Sequence, residues 1–315
     1  VPESLAVLSA TAPEYRLASD TPERARRLEL AKWIVAKDNP LPARVLANRL
    51  WHYHFGAGIV STPSDFGFMG NPPTHPELLD WLARELVKPA HGLKDDDSAT
   101  DQSWRLKRLH KMIMRSQAYR QASAYRQDAA DIDSESRFLW RFPPRRLTGE
   151  EIRDSMLAAA GVLDAHMGGP GFRLYRYIRD NVASYIPLDE YGPETYRRSV
   201  YHQNARASRI DLMTDFDSPD CALVAPRRSS TTTPLQALTL MNHSFTLSMA
   251  QLLASRVERD AGNDPSSQAV RAFKLALLRE PNADESKDAI GLIEAHDLRS
   301  LCRALFNSNE FIYLD

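Results

Sequence analysis

The sequence predicts a mainly α-helical, multi-helix globular domain with an irregular excursion over residues 167–232 that has room for a short hairpin. Apolar residues recur mostly at three- and four-residue spacing, and strict alternation is rare. Helix-start signals precede most of these stretches. The chain has 315 residues, of which 43% are hydrophobic and 26% are charged, so it has enough apolar mass for a large core.

The first third of the chain predicts three helices, over residues 22–35, over residues 42–55 and from residue 75 onward. Each has a proline at or near its first turn, where the missing N–H costs nothing. Gly56 ends the second helix. A loop rich in Gly, Pro, Ser and Thr, residues 58–74, leads to the third.

The middle of the chain predicts a loop and two helices. Residues 88–102 carry clustered charge, including Asp95-Asp96-Asp97, and read as a surface loop. Ser103 then caps a short helix. Thr148-Gly-Glu-Glu151 has the spacing of a capping box, and the helix it starts is predicted to end at Gly168-Gly169.

The excursion is dense in Gly, Pro, Arg and aromatic residues, and its best candidate strand is Arg198-Ser-Val-Tyr-His202. Helical patterns resume after a second capping box at Thr233-Pro-Leu-Gln236 and again over residues 244–256. Three more short helices are expected to start at Asp264, Asp284 and Asp297.

We expect residues 1–21 to form a linker or N-terminal extension and residues 22–315 to form one helical domain with one continuous core. A sub-boundary inside 167–232 stays open. The start at Val1 rather than Met indicates a fragment or a processed form. The net charge of -1 argues against a nucleic-acid partner, and no apolar run is long enough to span a membrane.

The two cysteines, Cys221 and Cys302, fit no zinc, thioredoxin or haem-attachment pattern, and a disulfide between them stays open. The sequence has no HExxH, Walker, GxSxG or EF-hand motif. No metal site and no cofactor are therefore predicted in this chain.

The densest polar and aromatic cluster runs from Asn48 to Phe55. On a helix, Asn48 and His52 share a face, whereas His52 and His54 point to nearly opposite sides. The two histidines are therefore not expected to chelate one metal ion.

Two interpretations of this region stay open. In the first, Arg49 and one histidine form a pocket wall that Asp65 and His75 close. In the second, which we favour, Arg49 and Asp65 form a partly buried ion pair that ties the loop over residues 56–75 to the helix, and His75 caps the third helix.

Three dibasic pairs bracket the excursion: Arg145-Arg146, Arg197-Arg198 and Arg227-Arg228. If they converge, they form a fork-shaped site for carboxylate, phosphate or sulfate groups. If they are scattered, they are ordinary surface or helix-terminal charges. The excursion also contains six tyrosines: Tyr175, Tyr177, Tyr185, Tyr191, Tyr196 and Tyr201. They could line a sugar-binding groove, although tyrosines in such a segment more commonly anchor the loops to the core.

Several separated motifs follow one another along the chain. The first group comprises Arg27-Leu-Glu-Leu-Ala-Lys-Trp33, Asn48-Arg49-Leu-Trp51, Phe55-Gly-Ala-Gly-Ile-Val60, Ser64-Asp65-Phe-Gly67 and His75-Pro-Glu-Leu-Leu-Asp-Trp-Leu82. The second comprises Arg227-Arg228-Ser-Ser-Thr-Thr-Thr-Pro-Leu-Gln236, Met241-Asn242 and Leu305-Phe-Asn-Ser-Asn-Glu-Phe311. Together and in this order, these motifs resemble the planctomycete-type DUF1553 domain, also called PSD1, over about residues 22–315.

The resemblance implies context more than chemistry. Similar proteins typically carry this domain at the C-terminus of a large exported protein, after a DUF1549 domain and often a cytochrome c-type domain. It implies an extracytoplasmic location, with these upstream domains of the same polypeptide as partners and any haem held by them. The matching residues, together with the dibasic pair Arg197-Arg198, become candidate binding residues without assigned roles: Asn48, Arg49, Trp51, Arg197, Arg198, Arg227, Arg228 and Asn242.

We therefore expect a non-catalytic or accessory domain linked to polysaccharide use at the cell surface. One alternative is an enzyme acting on anionic or sulfated glycans, with His54 or His75 as general acid/base and Asp65 orienting it. In that enzyme, Arg49 and the Arg227-Arg228 pair would clamp the anion. A second alternative is a domain that supplies an axial ligand such as His54, or a docking surface, to an upstream cytochrome.

Overall fold

The computed structural model describes residues 17–36, 38–90, 103–206 and 208–314. Half of the described residues are helical and 6% are strand, which confirms the mainly α-helical fold. The chain divides into two compact units between Pro143 and Pro144. The acidic stretch Asp95-Asp96-Asp97 and most of the predicted N-terminal extension lie outside the described residues.

The first unit is built from five helices within its described residues: α1 (Glu23–Ile34), α2 (Pro40–Phe55), α3 (Pro76–Val87), α4 (Leu106–Arg115) and α5 (Gln127–Ala130). Its core lies where α2, α3 and α4 pack, around Leu50, Phe55, Leu82 and Leu109. Each such side chain contributes about 1.5–3 kcal/mol by leaving water. By contrast, α1 buries none of its residues.

Two helix starts differ from the prediction. α2 begins at Pro40 rather than Pro42, because the side chain of Asn39 accepts a hydrogen bond from the amide of Leu41 and so caps the helix earlier. α4 begins at Leu106, not after Ser103. Trp104 has a φ of 59°, a left-handed conformation that a helix cannot include.

The second unit holds the remaining elements: β1 (Arg145–Arg146), α6 (Gly149–Ala160), β2 (Tyr175–Arg179), β3 (Ala183–Pro187), α7 (Asp211–Asp215), α8 (Pro234–Asn242), α9 (Ser244–Ala261), α10 (Pro265–Ala276), α11 (Ala283–Ala295), α12 (Leu298–Phe306), α13 (Asn309–Ile312) and β4 (Tyr313–Leu314). Helix α9 is central and packs on α6, α8, α10 and α12. Its inward residues Met249, Leu253 and Val257 recur every four positions and are fully buried.

Both predicted capping boxes are confirmed, at Thr148 and at Thr233. Helix α6 nevertheless ends at Ala160, well before Gly168-Gly169, because Gly161 takes the left-handed conformation (φ 77°) that closes it.

The excursion contains a hairpin, but not at the predicted strand. Strands β2 and β3 pair antiparallel, with Tyr177 opposite Tyr185. Residues Ser199–Tyr201 form a 3-10 turn instead of the predicted strand. The amide of Ser199 donates to the carboxylate of Asp154, which replaces the bonds that a strand partner would supply. The segment 167–232 lies within the second unit.

The expectation of one continuous core is wrong. Buried apolar residues of the described chain form separate clusters, one in the first unit and a larger one around α6, α9, α10 and α12 in the second. A small third cluster, around Phe172, Leu174 and Tyr175, supports the base of the hairpin. No helix among the described residues is both long and apolar enough to cross a membrane.

Candidate functional site

In the first unit, Asn48 fastens the loop that follows α2. Its side-chain amide donates to the carbonyl of Val60 at 2.9 Å and its carbonyl oxygen accepts from the amide of Val60 at 2.8 Å. Gly58 passes so close that a Cβ there would lie 2.6 Å from the Val60 oxygen. Asn48 is completely buried, and both ends of its side chain are engaged.

The favoured Arg49–Asp65 ion pair is not formed. Arg49 is exposed and its Nε donates to the hydroxyl of Tyr53 at 3.3 Å. The carboxylate of Asp65 instead accepts from the amide of Gly67 at 2.8 Å, within its own loop. The physical reason is local: a loop carboxylate bonds its nearest backbone donor without ordering a long arginine side chain.

His75 occupies the N-cap position of α3, as predicted, but its side chain makes no capping hydrogen bond. The ring Nδ1 lies 2.9 Å from the hydroxyl oxygen of Thr74, and the ring meets Phe138 edge-on at 5.7 Å between centroids. Trp51, another candidate, lies in the core with its ring 4.3 Å from that of Phe55.

His54 hydrogen-bonds to a second histidine that the sequence analysis did not single out. Its Nε2 lies 2.8 Å from Nδ1 of His110, and its ring packs edge-on against Tyr119. One of the two facing nitrogens must carry the proton and the other must accept it. The hydrogen bonds of His54, Asp65 and His75 described above go to three different residues, His110, Gly67 and Thr74.

The three dibasic pairs of the second unit have different partners. Four of their arginines are engaged: Arg145 with Glu151, Arg146 with Asp217, Arg197 with the carbonyls of His166, Gly168 and Pro170, and Arg228 with Glu150. The side chains of Arg198 and Arg227 are exposed and have no polar partner within the described residues. The four engaged arginines bind carboxylates and loop carbonyls of the protein itself.

Asn242, the remaining candidate, lies at the exposed end of α8. Its side-chain oxygen accepts from Arg303 at 3.2 Å, and its amide donates to the carbonyl of Leu238. It ties α8 to α12.

Sequence reasoning missed the most deeply buried charge of this unit, Arg153 on α6. Its guanidinium donates to the carbonyls of Thr195 and Arg197 and lies 5.0 Å from the centroid of Phe172 and 5.2 Å from that of Phe245. Burial lowers the pKa of Arg153 to about 10, so it stays charged at neutral pH. The available signal was an arginine in line with the apolar stripe of α6.

His202 also went unnoticed as a possible site residue. Burial, and then the charge of Arg153, lower its pKa from 6.5 to about 4, so the ring is neutral at physiological pH. Its Nε2 is buried and has no hydrogen-bond partner in the described part of the chain.

The hairpin brings three of the predicted tyrosines together. Tyr175, Tyr177 and Tyr185 share one face, and the ring of Tyr185 lies 5.2 Å from each of the other two. Tyr175 is buried and anchors the row, whereas Tyr177 is 44% exposed. Arg179 follows on the same face, because side chains alternate along a strand. We call Tyr177, Tyr185 and Arg179 the tyrosine face.

No group of histidine, cysteine and acidic residues in the described ranges is arranged to hold a metal ion. Both cysteines are free thiols, which answers the open question of a disulfide between Cys221 and Cys302.

Neither the curated proteins nor the solved structures contain a match to this chain. The model of one protein family, described as PSD1, a protein of unknown function (DUF1553), matches residues 26–293. The match covers most of both units, including Asn48 with its two hydrogen bonds to Val60 and the capping boxes at Thr148 and Thr233. The chain therefore belongs to the DUF1553 (PSD1) family.

Proposed function

We propose that this chain is a non-catalytic, accessory domain that binds polysaccharide at the cell surface. The tyrosine face is the observation that carries the proposal. A pyranose ring has an apolar C–H face that stacks on an aromatic ring. The ring of Tyr177 is exposed and lies beside that of the half-buried Tyr185. Arg179 adds a donor for sugar hydroxyl or acidic groups.

The state of the other candidates supports an accessory role over catalysis. His54 is hydrogen-bonded to His110, and Asp65 accepts a hydrogen bond from the amide of Gly67 within its own loop. Arg197 donates to loop carbonyls and Arg228 is paired with Glu150. A catalytic group directs a lone pair or a proton at substrate, whereas the hydrogen bonds named here are made to the protein itself.

The family resemblance supports the remaining context. In this proposal the chain works outside the cytoplasm, beside DUF1549 and cytochrome c-type domains of the same polypeptide, and those domains hold any haem. This part of the proposal is tested by isolating the full-length protein from its source and determining its cellular fraction, its domain content and its haem absorbance.

Polysaccharide binding is tested by affinity gel electrophoresis and calorimetry with a panel of neutral, carboxylated and sulfated polysaccharides. We expect at least one to bind, and Tyr177→Ala to weaken that binding about tenfold, equivalent to roughly 1.4 kcal/mol. Tyr53→Ala is the matched control, because Tyr53 is an exposed tyrosine of the first unit.

Two results would refute the proposal. The first is that no member of the panel binds, or that Tyr177→Ala binds as the unaltered chain does. The second is turnover of a bound polysaccharide that His54→Gln or His75→Gln abolishes, which would assign the chain to the enzymes.

A further inference from the structure

We propose that the first unit carries a small-ligand site for a phosphate or sulfate group, in the recess between the start of α2 and the end of α3. The recess has a volume of about 310 Å³. Of its charged residues, Asp80 alone belongs to a motif singled out in the sequence, and the proposal is independent of the tyrosine face.

The shape of the recess follows from two small residues. Ala43 on α2 and Ala83 on α3 are both buried and form part of its floor, together with Val87. Alanines at facing positions bring the helices close together, and the longer side chains around them form the walls. The floor is apolar and the rim is charged.

Three cations line the recess: Arg44, Arg84 and Lys88. Asp80 engages Arg44 only through its Nε, at 2.6 Å, so both terminal nitrogens of that guanidinium remain available as donors. Arg84 and Lys88 are exposed and have no polar side-chain partner among the described residues.

Arg84 lies in the last turn of α3 and Lys88 directly follows the end of that helix. Both line the recess, where their like charges repel each other. An oxyanion between them removes that repulsion and accepts from both. A guanidinium offers paired N–H groups that match a phosphate or sulfate edge, and an ammonium adds a mobile point charge.

The helix ends do not supply the site. Pro40 and Pro42 lack N–H groups, and the amide of Leu41 is already capped by Asn39. The positive end of α2 and the negative end of α3 both adjoin the recess, so their dipoles largely cancel. Recognition therefore depends on the three cationic side chains.

Asp38 lowers the net positive charge of the recess. Asp38 and the already paired Asp80 are the acidic residues of the lining, so the three cations leave a single net positive charge. Replacing Asp38 by a neutral residue must therefore strengthen the binding of an anion.

The test is calorimetric titration of the whole chain at constant ionic strength with inorganic phosphate, inorganic sulfate, glucose 6-phosphate and glucose 6-sulfate. We expect saturable binding with one site per chain. If the sugar esters bind more tightly than the inorganic ions, the apolar floor contacts the sugar ring. If they bind equally, the site recognises the oxyanion alone. Either result supports the site and identifies its ligand source.

Four variants complete the test. Arg84→Gln and Lys88→Gln are each expected to weaken binding about tenfold, and Asp38→Asn to tighten it severalfold. Arg24→Gln, an exposed arginine on α1 outside the recess, is the matched control and should bind as the unaltered chain does. All four positions are exposed, so the variants should remain folded.

The site is refuted if none of the four probes gives saturable heat. It is also refuted if Arg24→Gln weakens binding as much as Arg84→Gln does, or if Asp38→Asn leaves the affinity unchanged.

Discussion

Asp154 accepts two hydrogen bonds from Ser199, one from its backbone amide at 2.8 Å and one from its hydroxyl at 2.7 Å. The neighbouring Arg153 donates to the same hydroxyl oxygen at 3.2 Å and to the carbonyl of Arg197 at 3.0 Å. Two adjacent residues of α6 thus satisfy both the donors and the acceptors of one irregular segment. This explains how the excursion keeps a defined shape with little regular structure.

Replacing the buried Arg153 should destabilise the excursion. We expect Arg153→Met to lower the free energy of unfolding by about 2–4 kcal/mol, because the carbonyls of Thr195 and Arg197 lose their donor inside the protein. Urea denaturation measures the loss. Arg198→Met, an exposed neighbour, should change stability by less than about 0.5 kcal/mol. Equal losses in the two variants would contradict the role assigned to Arg153.

His202 should make the chain less stable in acid. Its pKa falls from 6.5 to about 4 on folding, so between those values the unfolded chain binds a proton that the folded chain does not. Stability is therefore complete above pH 6.5 and declines as the pH falls toward 4. The loss is about 1–2 kcal/mol, after allowing for the partial exposure of the ring.

The measurement is the free energy of unfolding of the unaltered chain and of His202→Gln between pH 7 and pH 4. The variant should lose less stability over this interval, and His166→Gln, at an exposed position, should follow the unaltered chain. Parallel curves for all three proteins would show that His202 is not responsible.

The two hydrogen bonds between Asn48 and Val60 should stabilise the folded chain. Asn48→Ala leaves both the amide and the carbonyl of buried Val60 without partners, which should cost about 2–4 kcal/mol. Thermal unfolding followed by circular dichroism tests this, with Asn71→Ala as a control in the exposed part of the same loop. A normal melting temperature for Asn48→Ala would mean that water replaces the side chain.

The two cysteines should differ in reactivity. Cys221 is exposed, whereas Cys302 is buried, and burial strongly raises the pKa of its thiol. Since the thiolate is the reactive form, iodoacetamide should modify the native chain once, at Cys221, and the denatured chain twice. Intact mass measures the number of adducts, and Cys221→Ser should stay unmodified when folded. Two rapid adducts on the native chain would contradict the burial of Cys302.

Local signals in the sequence predicted the helices well, whereas contacts between residues far apart in the sequence follow only from the folded structure. The capping boxes at Thr148 and Thr233 form as predicted because every atom they need lies within four residues. The position of the strands could not be predicted this way, since Ser199 is fixed by Asp154, 45 residues away in sequence. Tertiary hydrogen bonds overrode local strand propensity there.

In the first unit, too, single residues can be recognised in the sequence, but their partners cannot. The motif residue Asn48 stands out in the sequence, but that its partner is a backbone group of Val60 follows only from the folded loop. In the sequence, Arg44 looks like an ordinary helix-surface charge, and Lys88 falls in the loop predicted over residues 88–102. They share a recess only because Ala43 and Ala83 let α2 and α3 approach closely.

The hairpin of the tyrosine face is a two-stranded sheet, so each of its strands has an outer edge whose backbone groups meet water. Such an edge is a template for a further extended chain, and exposed Ile178 and Val182 would favour joining two copies. Arg176 and Arg179 oppose this, because two β2 strands laid side by side would bring their guanidinium groups together. Neutralising these arginines would make the hairpin a point of aggregation.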